Sequence, residues 1–118
     1  QKLKEWMVNA KESDTTIVMR SIKMNTRAME NKTAIKVLAK EQELKQRKAS
    51  FEEVLVELMP LISGEQTRKV FEKGELDAGI AACGQVVGSI DRISSVKDVI
   101  DNIVKGIPSV LKRIDSMV

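Results

Sequence analysis

Gly74-Glu-Leu-Asp-Ala-Gly-Ile-Ala-Ala-Cys-Gly-Gln-Val-Val-Gly-Ser-Ile90 holds four of the six glycines of this 118-residue chain. They stand at 74, 79, 84 and 88, with Ala78, Ala81, Ala82 and Cys83 between them. Small side chains leave the backbone accessible, so something packs close against it. Two readings compete. The segment from about 78 to 90 can be helical, with Gly84 and Gly88 on one face for close helix packing. It can instead be a ligand-facing turn that opens a helix, where backbone N–H groups are free to donate. Isolated glycines cost about 0.5–1 kcal/mol each inside a helix, so their clustering calls for an explanation.

Elements flank this segment on both sides. Gly74 suits the left-handed cap of a helix carrying Val70 and Phe71. Ser50 with Glu53, Ser63 with Gln66 and Ser95 with Asp98 have capping-box spacing, which predicts helix starts near 51, 64 and 96. The first of these helices carries Phe51, Val54, Leu55 and Leu58 and is expected to stop near Pro60. The last carries Val96, Val99, Ile100, Ile103, Val104 and Ile107, is kinked or broken by Pro108, and continues to Met117. Leu3, Trp6, Met7 and Ala10 mark a short amphipathic helix ended by Ser13-Asp14. Thr15-Thr-Ile-Val-Met19 is β-branched and reads as the one convincing strand. The pattern turns helical from about Thr26, with Ala34, Ile35 and Leu38 on the apolar face. A lone strand cannot satisfy its own backbone, so its partner is expected outside these residues. The expectation is a mainly α chain with one short strand.

Composition excludes several functions. Apolar residues make up 42% and charged ones 31%, which suits a folded domain. The chain has no histidine and a single cysteine, Cys83. Ser-His-Asp and Cys-His catalysis, Cys/His zinc binding and internal disulfides are therefore excluded within it. No catalytic residue and no metal site is assigned. One reduced cysteine is consistent with a cytoplasmic protein. No apolar run is long enough to span a bilayer, and the amino terminus lacks a signal-peptide plan. Residues 1–48 hold 12 Lys+Arg against 6 Asp+Glu, while residues 49–118 hold 8 against 11. Acids interrupt the basic half and no aromatic platform accompanies it, so a solvated helix face is read rather than a nucleic-acid site.

The 74–90 segment, continued through Ile93 and Ser95-Val96, resembles the C-terminal region of nitronate monooxygenases (2-nitropropane dioxygenases). That family also includes FMN-dependent enoyl-acyl carrier protein reductases. The resemblance is colinear. Asp14-Thr-Thr-Ile-Val-Met-Arg-Ser21 matches a strand followed by Arg-Ser, and Arg27 and Asn31 fit an Arg-x-x-x-Asn pattern. Ser50-Phe-Glu-Glu and Ser63 to Gly74 fit the next two helices. It implies the last third of a (β/α)8-barrel flavoprotein with an inserted helical lid domain. Residues 1–77 would be part of the lid, and 78–118 the return segment and last barrel helix. It further implies FMN beside Ala82, Cys83, Gly84 and Gln85, with the catalytic histidine and the phosphate loop upstream. Cys83 stands where relatives often carry Ser or Ala, and Met24 where Asn is common. The implied activity is oxidation of nitronates by flavin and dioxygen. The alternatives are enoyl-thioester reduction within the same family and a non-enzymatic helical interaction module. Implied partners are a small-molecule substrate (nitronate or enoyl thioester), the rest of the barrel and, with exposed apolar surface, further copies of the chain in a homo-oligomer.

Overall fold

In the computed structural model, which describes residues 1–117, the β-branched run forms β1, Thr15–Val18, and has its partner within the chain. That partner is β2, Thr26–Met29, antiparallel to β1, with Thr15 opposite Met29 and Val18 opposite Thr26. The expectation of one short strand and of helix from Thr26 is thereby corrected. The strand Thr26–Met29 is only four residues long, too short for either periodicity to show. The helix itself begins at Lys32, where Asn31 caps it.

A further segment joins the free side of β2. Ala82 bridges Ala28 in antiparallel fashion. The Met29 N–H donates to the Ala81 carbonyl at 2.9 Å, and the Cys83 N–H to the Arg27 carbonyl at 3.0 Å. The glycine-rich segment is therefore extended across the sheet rather than helical from 78 to 90. Its only helical piece is a 3-10 turn, Gln85–Ser89.

The helices surround this small sheet. α1 spans Lys2–Val8, shorter than expected, and a separate 3-10 turn at Glu12–Asp14 leads into β1. α2 spans Lys32–Gln46, α3 Phe51–Ile62, α4 Gly64–Arg68 and α5 Val96–Asp115. The three serine-based starts hold: Ser50, Ser63 and Ser95 each accept from the backbone N–H three residues on. Gly74 has φ +67° and ends a π-helical turn over Lys69–Lys73, as its left-handed role requires. α3 ends two residues past Pro60, near the expected stop, and α5 runs through Pro108 to Asp115.

Strand alternation divides the core in two. Val18, Ala28 and Ile80 face one cluster with Ala34, Val37, Leu44, Val54 and Leu58 from α2 and α3. Met29 and Ala81 face the other with Ala10, Val70 and Val87, backed by Leu3, Trp6 and Met7. Met29, Leu44 and Leu58 are the largest fully buried side chains, each contributing about 1.5–3 kcal/mol of transfer free energy. α5 is different. None of its residues is buried, and its apolar stripe stands open, from Val110 at 46% exposure to Val96 at 76%. Among the described residues, no helix is long and apolar enough to cross a membrane.

Candidate functional site

Three anchors fix the path of the glycine-rich segment. Asn31 is the first. Its side chain is buried, its Oδ1 accepts from the Ala34 N–H at 2.7 Å, and its Nδ2 donates to the Leu76 and Gly79 carbonyls at 2.6 and 2.9 Å. One amide thus caps α2 and ties residues 76–79 to it. Asp77 is the second. Its Oδ1 accepts from the Lys32 N–H at 3.0 Å, its Oδ2 lies 3.2 Å from Lys32 Nζ, and its carbonyl accepts from Thr33 Oγ1 at 2.6 Å. The Lys32 N–H holds the Asp77 carboxyl below its ordinary value, assisted by the Lys32 ammonium. The third anchor is the pairing of Ala81–Cys83 with β2 described above.

The glycines have distinct reasons to be glycine. A Cβ on Gly79 would stand 2.5 Å from the Gln66 carbonyl carbon, so this glycine lets two backbones touch. A Cβ on Gly88 would stand 2.8 Å from Glu12 N, another close backbone approach. Packing therefore accounts for 79 and 88, although against the start of α4 and the Glu12 turn rather than along one helix face. Gly84 is unlike them. Its φ of −98° suits any residue, and a Cβ there meets only its neighbour Val86, at 3.4 Å.

The residues expected beside FMN come together at this point. Ala82, Gly84 and Gln85 are exposed, and Cys83 is half-buried against the second cluster. They form the end of the extended segment and the first residue of the 3-10 turn. Cys83 lies across from Arg27 on one face of the sheet. Burial pushes the Cys83 thiol up, and the Arg27 guanidinium only partly opposes this. At neutral pH the group is a thiol, suited to filling space rather than to nucleophilic attack. Arg27 donates to Thr15 Oγ1 at 2.9 Å. The patch therefore offers small side chains and one amide side chain, with Arg27 across from Cys83 and no group fitted to proton abstraction. Sequence reading missed the anchoring by Asn31 and Asp77. An Asn just before an apolar-periodic run signals a helix cap, but nothing local signals its bonds to residues 76 and 79.

No protein-family model matches the chain. Among solved structures, FabK from Thermotoga maritima is similar to 99% of this chain at 26% identity and a TM-score of 0.75. A point mutant of that protein is similar at 25% identity, again over 99% of this chain, with a TM-score of 0.68. These matches cover 34% and 31% of the FabK chains. The chain thus spans about a third of the length of the solved structures it resembles.

Proposed function

We propose that these residues form the C-terminal third of an FMN-dependent oxidoreductase of the nitronate monooxygenase and enoyl-acyl carrier protein reductase type. The observation that carries the reading is the FabK likeness, sustained over 99% of the chain at a TM-score of 0.75. The patch supports it locally. Gly84 is exposed, needs no special backbone angle and abuts no neighbouring element, so its missing Cβ serves something outside these residues.

In this reading residues 1–77 belong to a lid, and 78–118 to the return segment and last helix of a barrel. The rest of that barrel covers the open apolar stripe of α5. Bound FMN supplies the acceptance and donation of electrons. The chain's own residues hold the ring. Ala82 and Gly84 admit a flat ring against the backbone, and Gln85 can donate to or accept from its polar edge. Cys83 fills space. With no histidine present, an imidazole base belongs to residues outside this chain. The FabK likeness favours the enoyl-thioester branch over nitronate oxidation, and a cytoplasmic setting fits either.

Gly84→Val in the complete protein tests the proposal. The expected result is loss of most bound FMN with an unchanged far-UV circular dichroism spectrum. Full FMN occupancy in the variant would refute the placement of residues 82–85. A wild-type protein that never binds flavin would favour the interaction module instead.

A further inference from the structure

A groove of about 760 Å³ lies between the β1–β2 turn, the C-terminal half of α2 and the start of α3. It shares no residue with the Ala82–Gln85 patch, so it stands apart from the flavin reading. Its floor is apolar, built from Leu38, Leu44, Ala49 and Val54. Its rim carries Arg20, Lys45 and Lys48, all exposed. None of these three cations makes a salt bridge among the described residues. Glu41 is the only carboxylate in the lining, and its oxygens are engaged. They accept from the Met19 N–H at 3.1 Å, the Ser21 N–H at 2.7 Å and Ser21 Oγ at 2.6 Å.

That engagement shapes the rim. Met19 has φ +62°, and the Glu41 clamp holds the turn that presents Arg20. Lys48 has φ +55° at the end of α2, and its N–H donates to the Lys45 carbonyl at 3.2 Å. The backbone under all three cations is thus tied to α2, which keeps their positive charge at the mouth of an apolar trough.

We infer that this groove binds a small anionic amphiphile, a molecule with a phosphate or carboxylate head and an apolar body. Charge complementarity sets the head: the lining carries three cations against one carboxylate already taken up by the turn. The floor sets the body. Size sets the class. Ten residues line the groove, well short of the roughly 20–30 a side of a standard protein interface. Its volume falls within the ~300–1,000 Å³ usual for small-molecule sites.

The test is an NMR titration of the complete, isotope-labelled protein with decyl phosphate below its micellar concentration. Amide shifts should centre on Arg20, Ser21, Leu38, Lys45 and Ala49. The combined Arg20→Gln, Lys45→Gln and Lys48→Gln variant should bind about tenfold more weakly, at a few tenths to 1 kcal/mol per exposed charge. Lys45→Gln alone, on an exposed helix surface, should weaken binding about twofold and keeps the test available if the triple variant unfolds. Inorganic phosphate and decanol should each bind far more weakly than decyl phosphate. Shifts peaking on α5, unchanged affinity in the charge variants, or equal binding of phosphate or decanol would overturn the inference.

Discussion

Gly79→Ala probes the packing that sets the path of the glycine-rich segment. The added Cβ would lie 2.5 Å from the Gln66 carbonyl carbon, 2.6 Å from Thr67 N and 2.7 Å from the Gln66 oxygen. All three are backbone atoms of α4 and cannot rotate away. The shortest separation must open by 0.9 Å to reach the 3.4 Å of ordinary contact. The Gly79 carbonyl also accepts from Asn31 Nδ2 at 2.9 Å, so the same movement strains a buried hydrogen bond. Overpacking costs about 1–3 kcal/mol, and losing that bond adds about 1–3 kcal/mol. A loss of about 2–6 kcal/mol is expected, read as a lower urea midpoint at unchanged slope. Gly84→Ala is the matched control, because its new Cβ meets only Val86 at 3.4 Å. It should change stability by no more than about 0.5 kcal/mol. Equal losses at the two positions, or no loss at Gly79, would refute the reasoning.

Other perturbations separate the remaining contributions. Asn31→Asp keeps the oxygen that caps α2 but sets a carboxylate against the Leu76 and Gly79 carbonyls, so it should cost about 2–4 kcal/mol in urea unfolding. Asp77 has a depressed folded pKa, so its stabilisation is complete above the ordinary value of 3.8 and is lost as pH falls through the lower folded value. Acid titration of stability should therefore lose part of its slope in that range in Asp77→Asn. The 118-residue chain should self-associate with rising concentration in sedimentation equilibrium, because the apolar stripe of α5 is open. Ile103→Lys with Ile107→Lys should return it toward the monomer.

Local chemistry was legible in the sequence, and long-range pairing was not. Ser50, Ser63, Ser95 and Gly74 act on backbone within five residues, so their helix ends could be read directly. β2 was hidden because Thr26–Met29 is four residues long and is followed at once by a strong helical pattern. The bridge from Ala82 to Ala28 spans more than fifty residues, and no local signal encodes such a contact. The glycine cluster held mixed causes. Gly79 and Gly88 serve packing within the chain, whereas the absence of a Cβ on Gly84 is unexplained by any internal contact. Pro60 stands two residues before the end of α3, near the expected stop, whereas α5 runs through Pro108, where a kink or break was expected.

The most direct measurement is the intact mass and visible absorbance of the native polypeptide that carries this sequence. If 13.2 kDa is 34% of a FabK-like chain, the whole is about 39 kDa. The account predicts a mass about threefold that of these residues and a flavin released as FMN on denaturation. A native polypeptide of 13.2 kDa without flavin would contradict it.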